Sequence, residues 1–182
     1  MKTFCLWVAI FMAAAGMGLA ETAYWSDNFQ TNAASRWSAN SAGTWNFSSP
    51  TAGPPVNSLG YRSYDGTNCA STFGYSPASQ DVRLVCTKYN GAKTLLVPAA
   101  NQYPRLRFWQ WYSYANALAS VAISTNNGSN WIQISQTYEY TPYPTGGGVW
   151  SRPSFDLRAY AGQFVQISFD FQSGGCCGNG LG

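Results

Sequence analysis

The chain has 182 residues, no histidine, ten Lys and Arg against seven Asp and Glu, and 16% aromatic but only 9% charged residues. Without histidine there is no Ser-His-Asp or Cys-His catalytic pair and no His-based zinc helix. A net charge of +3 without Lys/Arg runs is too weak for a surface that tracks phosphates, so nucleic acid is not an expected partner, while 46% hydrophobic residues suffice for the core of one domain.

Met1 to Ala20 begins with basic Lys2, continues as an apolar run from Phe4 to Ala15 and ends in small residues at Gly18 and Ala20. This is the pattern of a secretory signal peptide cut after Ala20, and the run is shorter than the roughly 20 residues that span a bilayer. The expected product is a secreted, extracellular domain over residues 21–182 with no transmembrane segment after the signal peptide. Beyond the leader stand Cys69, Cys86, Cys176 and Cys177. An even count in an exported chain favours disulfides, and of the three connectivities that four cysteines allow, one joining Cys69 to Cys86 is preferred. Adjacent Cys176 and Cys177 are expected to bond elsewhere rather than to each other. A zinc site lacks histidines to complete its four ligands.

After the leader, Gly, Pro, Ser, Thr and Asn recur at intervals of roughly 8 to 12 residues, and no stretch keeps helical spacing over three turns. Strands are expected around Trp25 to Phe29, Trp45 to Phe47, Val82 to Cys86, Thr94 to Val97 and Val149 to Asp156. Arg105 to Tyr114 reads as a strand with Leu106, Phe108, Tyr112 and Tyr114 on one face and Trp109 with Trp111 on the other, so both faces are covered or one is a ligand platform. Val121–Ser124 and Trp131–Ile134 flank an Asn127-Gly128 hairpin turn, where both residues tolerate positive φ. Phe155 to Gly162 reads as a strand end and a short turn. In Val165 to Gln172, Val165, Ile167, Phe169 and Phe171 face the core and Gln166, Ser168, Asp170 and Gln172 face water. Many short antiparallel strands in one domain predict an all-β, two-sheet jelly roll or β-sandwich of the concanavalin-like kind.

The order of several stretches resembles the MAM-like jelly-roll domain of bacterial exported proteins, as in the accessory region of immune inhibitor A type metalloproteases. They are Ser26-Asp27-Asn28-Phe29, Tyr64-Asp65-Gly66-Thr67-Asn68-Cys69, Leu106 to Tyr112, Val121 to Trp131 and Phe155 to Ile167. The resemblance covers nearly the whole chain after the leader. It implies a last strand of the Gly-Trp-Tyr-Ile-Asp-Asp type, whereas residues 180–182 are Gly-Leu-Gly; the expectation is a domain truncated before that strand, the N-terminal part of a larger secreted protein. It also implies room for Ca2+ between first and last strands of the complete domain. Asp27 alone carries over to such a site, and one carboxylate falls short of the 6 to 8 oxygens that calcium takes. Ser124 to Trp131 further resembles a single Asp-box turn with Asn126 in the aspartate position, expected to brace the hairpin with Trp131 packed inward.

Glycoside hydrolysis needs carboxylates facing across a cleft. Nothing in the sequence pairs Glu139, Asp156 or Asp170, so no catalytic residue is assigned. Aromatic rings with polar rims are what polysaccharide sites use. The candidates for ligand binding are Tyr138, Tyr140 and Tyr143, expected to be exposed beside Pro142 and Pro144, together with Trp109 and Trp111. The expected function is non-catalytic extracellular recognition or adhesion, with a glycan or a cell-surface protein as partner. The alternative is an accessory domain of a secreted hydrolase or protease.

Overall fold

The computed structural model describes residues 3–12, 22–40, 45–50, 54–73, 80–113, 117–138 and 149–173, the first segment at the backbone only. Every strand pairing described is antiparallel, and there is no α-helix among the described residues. The strands are β1 (Thr3–Met12), β2 (Thr22–Asp27), β3 (Trp37–Ala39), β4 (Trp45–Ser48), β5 (Cys69–Phe73), β6 (Gln80–Cys86), β7 (Leu95–Leu96), β8 (Pro104–Ser113), β9 (Ala117–Ser124), β10 (Ile132–Gln133), β11 (Ser154–Asp156) and β12 (Phe164–Ser173). One sheet runs β11-β8-β1-β5-β4, with β2 also paired to β1; the other runs β10-β9-β12-β6-β3, with β7 also paired to β12. The chain is an antiparallel β-sandwich. The expected leader thus contributes a strand, β1, to the middle of the first sheet.

The two sheets meet over one core. In β12, Val165, Ile167, Phe169 and Phe171 are buried, and Gln166, Asp170 and Gln172 on the alternate positions are not, whereas Ser168, expected to face water with them, is fully buried because β6 and β9 flank it on both sides. Phe108 of β8 meets Phe169 edge-on at 5.1 Å, and Trp37 of β3 lies 5.9 Å from the same ring. Trp25 of β2 adds contacts at 6.0 Å to Trp37 and 5.0 Å to Tyr89. Aromatic rings crossing tilted or edge to face supply the inter-sheet contact that small strands cannot. Tyr89 is pinned as well as packed, its hydroxyl oxygen accepting from the Ile167 N–H at 2.9 Å.

A buried carboxylate organises the corner between β2 and β3. Asp27 Oδ1 accepts from the Phe29 N–H at 2.8 Å and from Arg36 Nη2 at 2.8 Å. Its Oδ2 accepts from Arg36 Nε at 2.5 Å and from Trp37 Nε1 at 2.9 Å. The tight turn carries Phe29 and Asn32 at φ of 61° and 50°. All the donors around Asp27 come from the chain itself, and a guanidinium occupies the side a cation would take, so these residues do not fit the Ca2+ site implied by the resemblance. Among the described residues no three His, Cys, Asp or Glu side chains gather in metal-binding range.

The hairpin expected at Asn127-Gly128 forms, with φ of 57° and 83°. Ser124 Oγ accepts from the Gly128 N–H at 2.9 Å and Asn126 Oδ1 from the Asn130 N–H at 2.8 Å, so the side chains brace the turn as the motif implies. Trp131 corrects the expectation of inward packing. It is half-buried on the outer face of the second sheet, where the Arg83 guanidinium sits 4.7 Å from its ring. Gly128 serves the turn through its φ of +83°, a conformation that other residues adopt only with strain.

The Cys69–Cys86 pairing is also corrected. Cys86 is a free, fully buried thiol in β6, while Cys69 is disulfide-bonded and stands in β5 of the opposite sheet. Cys176 and Cys177 lie outside the described residues.

Candidate functional site

The alternation of β8 places its side chains on two distinct surfaces. Leu106, Phe108 and Gln110 are buried on the inner face, followed by half-buried Tyr112, while Arg105, Arg107 and Trp109 are half-buried on the outer face. Outside the sheet, the loop before β5 folds over Trp109. Tyr64 stacks on that indole at 3.8 Å and 14°, Trp150 meets Tyr64 edge-on at 5.5 Å, and Arg152 lies 5.8 Å from the Trp109 ring. The loop is held by Asn57, whose Nδ2 donates to the Gly66 carbonyl at 2.8 Å, and by Gln30, whose Oε1 accepts from the Thr67 N–H at 2.8 Å.

Where the inner face of β8 reaches the end of the sandwich, a cleft of about 460 Å³ opens between the sheets. Gln110 and Tyr112 form one wall, Tyr138 another, and Ser151 with Arg152 a third. Backbone pairing sets this geometry: Gln110 exchanges both N–H···O bonds with Ser151 at 2.9 Å, and Tyr138 does the same with Ala119 of β9 at 2.7 and 2.8 Å. The two tyrosine rings lie 5.3 Å apart at 48°.

Gln110 is 3% exposed, its Nε2 donates to Ser151 Oγ at 3.3 Å, and its Oε1 has no partner. A buried acceptor left unmade costs about 1–3 kcal/mol and asks for an explanation. The residue that carries it lines a cleft that also holds hydroxyls, amides and aromatic rings. Burial pushes the Tyr138 phenol up to about 12, with the Gln110 side-chain hydrogen bond acting the other way. The hydroxyl therefore stays a neutral donor and acceptor at ordinary pH. The Arg107 guanidinium is lowered, first by burial and then by the charge of Arg152, which lines the cleft.

The expected site residues divide. Tyr138 lines the cleft, but it corrects the expectation of an exposed loop tyrosine: it is 5% exposed because its bridge to Ala119 draws it into the second sheet. Trp109 stands on the outer face under Tyr64, and Trp111 is 3% exposed. Tyr140 and Tyr143 lie outside the described residues. Gln110 and Ser151 were not among the sequence candidates; the signal for Gln110 is a polar residue in an otherwise apolar alternation.

A larger hollow of about 560 Å³ lies beside Asp27 and Arg36. Its central carboxylate is saturated by the chain's own donors, and none of its described lining side chains is an unpartnered buried group. Asp170 is held by Arg83 at 2.6 and 2.9 Å and Asp156 by Arg158, and neither carboxylate lines the cleft.

No family model matches the chain, so the MAM-like resemblance has no counterpart there, and no curated protein matches it. Among solved structures it is similar to the K1 cleaved adhesin domain of Lys-gingipain from Porphyromonas gingivalis W83, at 18% identity and a TM-score of 0.47, over 75% of this chain and 87% of that one.

Proposed function

We propose that this domain is a non-catalytic extracellular recognition module of the adhesion type, exported by its leader, and that it binds a glycan in the cleft beside Gln110. One observation carries this reading: Gln110, whose side-chain carbonyl oxygen is buried and unpartnered, lines a cleft shared with two tyrosines, a serine and an arginine. A pyranose supplies hydroxyl donors for such an acceptor, C–H faces for rings such as Tyr112 and Tyr138, and acceptors for the Arg152 guanidinium. Among the described residues no carboxylate lines the cleft, whereas glycoside hydrolysis requires a facing pair; Glu139 lies outside the described residues. No described helix is long and apolar enough to cross a membrane.

The test is depletion of the full chain from solution by insoluble polysaccharides of differing charge and linkage. At least one is expected to retain it, and Gln110→Met, which keeps the side-chain volume but loses the acceptor, is expected to abolish that retention. Retention by none, or equal retention of the variant, contradicts the cleft as the site.

A further inference from the structure

On the outer face of the second sheet, away from the cleft, lies a groove of about 190 Å³. Arg83 of β6, Leu118 and Ser120 of β9, and Asp170 and Gln172 of β12 line it. These positions alternate along their strands with the buried Leu84, Ala119 and Phe171, so the strand period turns them from the core.

The charged pair in the groove is fixed in place. Arg83 Nε and Nη2 donate to Asp170 Oδ1 and Oδ2 at 2.6 and 2.9 Å, and the same guanidinium sits 4.7 Å from the Trp131 ring. A fork held by a carboxylate and by a ring has little freedom left to lose when a ligand binds. Both side chains still reach solvent, Arg83 at 29% exposure and Asp170 at 15%. Among the described residues no atom accepts from Arg83 Nη1, each Asp170 oxygen takes one bond from the chain, and the Ser120 hydroxyl and Gln172 amide have no partner.

This set selects by charge. An anion drawn to Arg83 meets Asp170 beside it, and a cation drawn to Asp170 meets Arg83, so either is opposed by the second charge. A neutral ligand with adjacent hydroxyls meets no such opposition. One hydroxyl accepts from Arg83 Nη1 while its neighbour donates to the Asp170 carboxylate, and Leu118, 39% exposed, offers a surface for C–H groups. The volume is below that of a drug-sized site and suits a single sugar ring.

We propose that this groove is a second sugar site, which takes one neutral pyranose with its adjacent hydroxyls shared between Arg83 and Asp170. It does not rest on the cleft reading. A single ring in an open groove binds with a dissociation constant on the order of 1 mM, too weakly to hold the chain on a polysaccharide by itself.

The experiment titrates the 15N-labelled full chain with the methyl glycosides of glucose, galactose and mannose, and with glucuronate as the charged control. At least one neutral glycoside is expected to shift the Arg83 Nε–H, Trp131 Nε1–H and Gln172 amide signals saturably, and glucuronate at least about tenfold more weakly. Ser120→Tyr places a ring in the groove at an outward strand position, where aromatic residues are at home, and is expected to remove the response. Arg83→Lys keeps a charge beside Asp170 but loses the fork, and is expected to weaken binding at least about tenfold. Gln110→Met is expected to leave the response unchanged, which separates this site from the cleft. No shift of these signals at about tenfold above that constant overturns the proposal, as does a preference for glucuronate. An undiminished response in either variant, once folded, also overturns it. Should neither variant fold, shifts in the wild type confined to Gln110 and Tyr138 overturn it, and shifts at Arg83 and Gln172 uphold it.

Discussion

At the scale of single residues, two buried groups govern the chain's response to mutation and pH. The Asp27 side chain is wholly buried and its charge is matched by one guanidinium that is itself a quarter exposed. Replacing Arg36 by alanine leaves that charge with only the Phe29 and Trp37 donors, so Arg36→Ala is expected to cost about 3 kcal/mol in chemical denaturation, toward the lower end for a broken buried pair. Cys86 behaves in the opposite sense, since its burial disfavours the charged form and pushes the thiol from 9.0 up to about 12. Its contribution is fully present below pH 9 and is lost as pH rises toward about 12, because there the unfolded chain releases a proton that the folded chain keeps. Stability measured across that alkaline window should fall with pH, and Cys86→Ala should flatten the fall between pH 9 and 10, before tyrosines ionise in the unfolded chain. In the folded wild type the thiol should resist alkylation at neutral pH.

At the scale of elements, the loop before β5 depends on a conformation that only glycine adopts without strain. Gly66 has φ of +67°, and a Cβ there would lie 2.7 Å from the Gln30 side chain that clips the loop to the exit of β2. Gly66→Ala is expected to cost about 1–3 kcal/mol and to weaken the near-ultraviolet circular dichroism of the stacked Tyr64–Trp109 pair. Elements were legible in the sequence where period 2 was written in large side chains, as in β8, β12 and the β9–β10 hairpin. β5, Cys-Ala-Ser-Thr-Phe, was not legible: its small residues Ala70, Ser71 and Thr72 are buried on both faces of the sheet, so burial there leaves no alternation to read. β1 reads as a leader because an apolar run of that length satisfies export and a buried central strand equally well.

At the scale of the whole molecule, the site forms only when distant parts of the chain meet, and this limits what a sequence can reveal. Tyr138 was recognisable as an aromatic near prolines, but its burial follows from a single bridge to Ala119, a pairing that nothing local announces. Gln110 belongs to the cleft because Ser151, far along the chain, pairs with it across the end of β8. The cleft is thus a product of the two sheets together, and its buried acceptor is a cost to the fold that binding would offset. The most direct test titrates wild type and Gln110→Met with a soluble oligosaccharide of the retained polysaccharide, and unfolds both in denaturant. The account predicts that the variant unfolds within about 1 kcal/mol of wild type or later, with its affinity reduced at least about tenfold. An unchanged affinity in a folded variant would contradict it.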